Sequence, residues 1–219
     1  MKKDTRNRFY AAAAFLGAFA LWTAAVCFVD VQPIGPHGST VGFAAMNRFV
    51  HGLTGVHMML YTITDWLGLV PVAVGFGFAI AGLVQWIRRR RIWKVDTSIL
   101  VLGGFYIVVT AAYLFFESWV VNYRPVLISG FLEASYPSST TLLVLCVMPT
   151  AALQFRSRIR QGWLKTVVTA VIAAFVAFMV IGRLLSGVHW LSDIIGGGLL
   201  SAGLVLLYDA FSHLTNKTH

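Results

Sequence analysis

Apolar and polar residues alternate along this chain in long blocks rather than at the short periods of soluble helices or strands. Apolar runs cover about 9–29, 66–87, 98–116, 139–155, 163–181 and 194–211, and polar or mixed segments separate them. A helix needs roughly 20 apolar residues to cross a bilayer core. The pattern therefore predicts an all-α, polytopic membrane protein with six transmembrane helices, forming a single domain over 1–219. Pro71 and Pro149 fall inside two of the runs, which neighbouring helices can tolerate in a membrane. The first run follows a basic segment, 1–8, and is long enough to span rather than to act as a cleaved leader.

The mixed stretch between spans one and two opens with Asp30-Val-Gln-Pro-Ile-Gly-Pro-His-Gly-Ser39, a turn-rich loop. Its second half, about 41–64, carries apolar residues at helical spacing around Asn47, Arg48, His51 and His57. That spacing predicts an interfacial or re-entrant helix. Trp66, Trp93, Trp119 and Trp163 sit near expected span ends and read as interface anchors. Gly196, Gly197 and Gly198 fall inside span six and are expected to permit close helix packing.

Composition agrees, with 58% hydrophobic and 11% charged residues; a soluble globular domain is excluded. Cys27 and Cys146 both lie in apolar runs, so buried thiols are expected, with neither a disulfide nor metal ligation. The net charge of +9 raises the question of nucleic acid. Its distribution answers that question. With an inside N-terminus, the inner segments hold Lys2, Lys3, Arg6, Arg8, Arg88 to Arg91, Lys94, Arg156, Arg158, Arg160, Lys165 and Lys217, which is 14 of the 17 basic residues. The positive-inside rule then puts both termini in the cytoplasm of a multi-pass cell-membrane protein. The run Arg88 to Arg91 serves orientation and contact with anionic lipid rather than nucleic acid. The three remaining basic residues, Arg48, Arg124 and Arg183, lie on the outer side.

Chemistry concentrates on that side. The segment Gly182-Arg-Leu-Leu-Ser-Gly-Val-His-Trp-Leu-Ser-Asp193 carries Arg183, His189 and Asp193. If the chain is helical from about Val188, His189 and Asp193 share a face at i and i+4, and the carboxylate can orient the imidazole. The second ring nitrogen stays free to attack or to accept a proton. A plain cap and ion pair at a membrane surface would use the same residue types. Two further segments change that balance. The loop after span three holds Asn122-Tyr-Arg-Pro125, and span four opens with Tyr136-Pro-Ser-Ser-Thr-Thr141, whose hydroxyls and free N–H groups make an anion site. Two arginines, a helix start and an oriented histidine on one side point to a phosphate pocket.

The order and spacing resemble the type 2 phosphatidic acid phosphatase (PAP2) superfamily. That family carries Lys-x6-Arg-Pro, then Pro-Ser-Gly-His, then Ser-Arg-x5-His-x3-Asp. Here the three appear as Glu117-x6-Arg124-Pro125, Pro137-Ser138-Ser139-Thr140 and Gly182-Arg183-x5-His189-x3-Asp193. The resemblance implies that His189 is the nucleophile that forms a phosphohistidine and Asp193 its orienting carboxylate. It implies phosphate binding by Arg124 and Arg183, with Ser138 and the Ser139 backbone as an anion cradle. The family's lysine is Glu117 here, and its second-motif histidine, a general acid for the leaving group, is Thr140.

Threonine cannot supply a proton near neutral pH, so a contribution of roughly 10²- to 10⁴-fold is missing unless another group replaces it. Glu117 is expected to be turned away, paired with an arginine, or protonated and serving as the missing acid; His51, His57 and Glu133 are other substitutes, although structural or interfacial roles suit those three better. A leaving group that is itself a phosphate needs a proton least. The sequence reading is therefore a membrane lipid phosphatase acting at the outer face on a phosphate or diphosphate headgroup, with a polyprenyl diphosphate favoured. The alternative is a non-catalytic relative that binds or moves a phosphorylated lipid. A channel is disfavoured, because the spans carry almost no ionisable side chains to line a path. Arginine and one histidine are poor divalent-metal ligands, so no metal or other cofactor is expected. The sequence sets no oligomeric state.

Overall fold

The computed structural model describes residues 3–215. Lys2 and Lys217, two of the basic residues assigned to the inner face, lie outside them. Eight helices follow in order: α1 (Lys3–Phe28), α2 (Ala44–Thr54), α3 (Met58–Leu67), α4 (Leu69–Arg89), α5 (Thr97–Ser118), α6 (Ser139–Arg158), α7 (Gly162–Leu185) and α8 (Leu191–Thr215). Six segments are long and apolar enough to cross a membrane: α1, the α3–α4 pair, α5, α6, α7 and α8. The six expected spans are all present, most of them extended by up to a turn or two at their ends.

One boundary differs substantially. The expected helix over 41–64 is split: α2 stops at Thr54, and the chain restarts at Met58 as the first part of span two. Gly55, at φ +65°, ends α2, in a conformation that glycine adopts without steric cost. The second span is then broken once, between α3 and α4 at Gly68. Pro71 lies just beyond that break and lacks the N–H that a continuous helix would direct to the Leu67 carbonyl. Asp65 sits in the last turn of α3, next to this break.

Helices α6 and α8 form the interior of the bundle, each about half buried. Packing around them divides into two apolar clusters. Phe19, Leu102, Phe105, Tyr136, Leu142 and Leu204 join α1, α5, α6 and α8, while Val144, Met148, Ile172 and Met179 join α6 to α7. Glycines in α8 make the first cluster possible. A Cβ on Gly196 would lie 2.5 Å from the Tyr136 ring, and one on Gly197 would lie 3.2 Å from Thr141. Gly198 meets nothing within 4 Å, so the close-packing role belongs to the first two. Cys146 is buried and Cys27 only half-buried; both are free thiols. Trp66, Trp93, Trp119 and Trp163 are all exposed on the outside of the bundle.

Both ends of the bundle are polar, and they differ. Arg88 to Arg91, Lys94, Arg156, Arg158 and Lys165 gather where α4, α5, α6 and α7 meet at one end. At the opposite end lie the close of α5, the starts of α3, α6 and α8, and the close of α7. Arg124, Arg183 and His189 are all at this second end.

Candidate active site

Between α5 and α6 the chain forms a small hairpin within 119–138. Tyr123 pairs with Ala134 and Ile128 with Phe131. Its turn residues Ser129 and Gly130 both have positive φ, +51° and +83°, the geometry that a tight hairpin turn needs. The Arg124 N–H donates to the Glu133 carbonyl at 3.1 Å and the Ser135 N–H to the Asn122 carbonyl at 2.9 Å. Arg124 and Ser135 are thereby held on one rigid element.

A second loop, 186–190, carries His189. Gly187 at φ +68° lets this loop lie against 55–57, since a Cβ there would sit 1.9 Å from the Gly55 carbonyl oxygen. The Trp190 indole donates to the Tyr123 carbonyl at 2.8 Å, tying the histidine loop to the hairpin. His51 is structural: its Nε2 lies 3.1 Å from the Gly187 carbonyl and its ring packs on Trp190. His57 is exposed and starts α3.

The expected histidine–aspartate pair forms, but through an intermediary. Helix α8 begins only at Leu191, so His189 precedes it, and Nδ1 lies 3.9 Å from Asp193 Oδ2. The Ser135 hydroxyl stands between them, 2.5 Å from Asp193 Oδ2 and 3.0 Å from His189 Nδ1. A carboxylate only accepts, so the serine proton points at Asp193 and the serine oxygen accepts from Nδ1–H. That fixes the tautomer and leaves Nε2 with its lone pair. Asp193 is fully buried and further held by Trp190 N–H at 2.9 Å, Asn122 at 3.2 Å and Ser192 at 3.3 Å. Asn47 of α2 braces the same group through Ser192 Oγ at 2.9 Å.

Both arginines approach from opposite elements and cover the Tyr61 ring of α3, with guanidinium carbons 5.9 Å (Arg124) and 5.0 Å (Arg183) from its centre. Arg183 is 1% exposed, its Nη1 reaching Thr64 Oγ1 at 3.4 Å and Asp65 Oδ1 at 3.6 Å. Thr64 also occupies the space beside Gly182, where a Cβ would meet its methyl at 2.8 Å. This accounts for glycine at the position where the family motif has serine. Arg124 Nε lies 3.1 Å from Glu133 Oε2 without hydrogen-bond alignment.

Four buried nitrogens in this constellation have no hydrogen-bond partner among the described residues: Arg124 Nε, which faces Glu133 without alignment, and Arg124 Nη1, Arg183 Nε and His189 Nε2, which face no carboxylate. Buried polar groups are nearly always satisfied, so guanidinium donors and an imidazole nitrogen left open together suit an anion. Burial, followed by the charges of Arg124 and Arg183, holds the His189 imidazole well below its ordinary 6.5. The neutral form therefore persists into acid. Because the unfolded chain binds this proton first, native stability is full above pH 6.5 and is lost as pH falls toward the folded value. Nitrogen NMR of labelled His189 is expected to show a neutral ring at pH 6.5; a half-titrated ring there would contradict this environment.

The second-motif residues arrive differently from expectation. Ser138 is buried, its N–H donates to the Asp193 carbonyl at 3.1 Å, and its hydroxyl caps α6 through Thr141 N–H at 3.5 Å. Its N–H is thus committed to the α6–α8 junction, and its hydroxyl oxygen accepts at the helix cap. The first free N–H groups of α6 are those of Ser139 and Thr140, which have no acceptor within the helix. Both side chains line a cavity of about 340 Å³ with Asp65 and Tyr113. Glu117 is exposed and lines a narrow crevice with Ser135, Tyr136 and Ser139.

Ser135→Ala is expected to remove the relay between Asp193 and His189. Turnover should fall about 10- to 100-fold, and stability by about 1–3 kcal/mol for the unmet buried partner. Activity assays and thermal melts check both, and wild-type turnover would show that the serine is dispensable.

The resemblance drawn from the motifs is borne out over the second half of the chain. The PAP2 superfamily model matches residues 115–216. Among solved structures, the chain is similar to a transmembrane PAP2 type phosphatidylglycerolphosphate phosphatase from Bacillus subtilis, with a TM-score of 0.56 and 19% identity over 93% of this chain and 96% of that one. At that identity the likeness shows the fold. No curated protein matches the chain.

Proposed function

We propose, for a six-span membrane protein whose residues 115–216 match the PAP2 superfamily, that it hydrolyses a phosphorylated lipid through a phosphohistidine on His189. The observation that carries this reading is the open trio of Arg124 Nη1, Arg183 Nε and His189 Nε2. Nε2 attacks the phosphorus, the bond to the leaving oxygen breaks, and the two guanidiniums balance charge on the phosphoryl oxygens. Water then cleaves the phosphorus–nitrogen bond and returns the imidazole. None of these steps draws on a metal.

A lipid suits the surroundings. The cavity lined by Asp65 and Thr140 shares Thr110 with an apolar groove of about 780 Å³ between α4 and α5. Gly75, Ala79, Gly82, Gly103 and Gly104 line this groove, leaving room for a hydrocarbon tail. The basic residues at the far end of the bundle support a cytoplasmic placement there and a site on the outer face.

Thr140 decides between substrates in this reading. It cannot protonate an alkoxide, whereas a phosphate leaving group requires no proton, so a polyprenyl diphosphate is favoured over a monoester. Purified protein with EDTA should release phosphate faster from diphosphates than from matched monoesters. Faster monoester turnover would overturn the preference. The replacements at Glu117 and Thr140 favour a second reading, a headgroup-binding relative without catalysis. It predicts lipid binding with no label transferred to His189.

A further inference from the structure

The first half of the reaction needs a free imidazole, which the site has; the second needs something to activate water. Once His189 is phosphorylated it cannot serve, and Thr140 cannot either. The other basic candidates are engaged or remote. Glu133 pairs with Arg124 and does not line the cavity beside Ser139 and Thr140, His51 contacts the Gly187 carbonyl, His57 stands at the start of α3, away from its last turn, and Glu117 faces a crevice of only about 10 Å³. Asp65 is different. Among the described residues it is the one carboxylate lining the 340 Å³ cavity that also exposes Ser139 and Thr140. Its side chain is 56% exposed, and its Oδ1 lies 3.6 Å from Arg183 Nη1.

The Arg183 guanidinium fixes the relation between that carboxylate and the phosphate position. One edge, Nη1, faces Asp65 and Thr64; the Nε edge has no partner. A phosphoryl group held at the open edge therefore has the Asp65 carboxylate one guanidinium width away. Residues 64 and 65 are placed there by the last turn of α3, directly before the break at Gly68.

We propose that Asp65 is the general base of the dephosphorylation step, a residue that none of the three motifs contains. Its carboxylate takes a proton from water as the water oxygen bonds to phosphorus. The phosphorus–Nε2 bond breaks and its electron pair returns to His189. Inorganic phosphate departs, and Asp65 then loses the proton to solvent. The proposal rests on the phosphohistidine reading and explains how a chain with threonine at the general-acid position completes turnover: the phosphate leaving group needs no acid, and the water receives a base from span two.

Rapid-quench kinetics with farnesyl diphosphate labelled in its terminal phosphate tests this on the purified full chain. Asp65→Asn should transfer label to His189 at the wild-type rate and then accumulate it, with steady-state phosphate release slowed about 100-fold or more. Asp65→Glu should recover part of the release. Unchanged release in Asp65→Asn would overturn the assignment, as would a loss of label transfer equal to the loss of release, which would make Asp65 a substrate-binding group acting through Arg183. If wild type releases phosphate but neither it nor Asp65→Asn carries label on His189, the phosphohistidine reading itself fails, and this assignment with it.

Discussion

His189→Ala and His189→Gln are both expected to lower phosphate release by at least about 10³-fold, because the proposed nucleophile is removed outright. The glutamine variant matters for interpretation. His189 is 3% exposed, so alanine leaves a hole beside Ser135 and Asp193, whereas glutamine fills the space and can still donate to the Ser135 hydroxyl. Equal losses in the two variants would place the effect on chemistry rather than packing. Binding of the lipid headgroup should survive in both, since Arg124 and Arg183 remain. Phosphate release from a well-folded His189→Gln protein at more than a tenth of the wild-type rate would contradict nucleophilic catalysis by this residue.

The second large effect is expected at Arg183. Its guanidinium spreads donors in two directions, from Nη1 toward Thr64 and Asp65 and from Nε toward the open edge. A lysine carries the same charge at a single point and cannot address both. Arg183→Lys should therefore reduce kcat/KM by about 10²- to 10³-fold, the scale of losing one fixed donor to a developing oxyanion. Arg124→Lys should cost less, because Glu133 already offsets part of the Arg124 charge. Steady-state kinetics on the two variants checks the order, and an equal or reversed effect would mean that the phosphate sits nearer the hairpin than α7.

Much of this architecture was legible in the sequence because membrane spans leave a coarse and redundant signal. A run of 20 apolar residues keeps its meaning when individual residues vary, so all six spans and the all-α class could be read directly. The third motif was legible for a similar reason. Arg183, His189 and Asp193 are close in sequence, and their spacing survives folding. The helix expected over 41–64 is present but ends earlier, as α2, because apolar periodicity continues across 55–57 while Gly55 takes a positive φ and His57 is non-helical, which separates α2 from span two.

The remaining parts of the site depend on contacts between distant segments, which spacing cannot reveal. Ser135 meets His189 across 54 positions, Asn122 meets Asp193 across 71, and Thr64 meets Arg183 across 119. Ser138 is part of the second motif, and the structure adds that its N–H is given to the Asp193 carbonyl at the α6–α8 junction. Tyr61 and Asp65 sit near the start of an apolar run where one aromatic and one acid attract no notice. A carboxylate at the head of a membrane span was the available signal, since such groups are rarely placed there without a partner.

The measurement that tests the central claim most directly is identification of the covalent intermediate. Wild-type protein is mixed with farnesyl diphosphate labelled in its terminal phosphate, quenched in alkali and digested. The account predicts an acid-labile phosphoryl group on the peptide containing His189, absent from His189→Gln and hydrolysed faster than the overall turnover of Asp65→Asn. Phosphate release without any labelled histidine, or label on another residue, would contradict it.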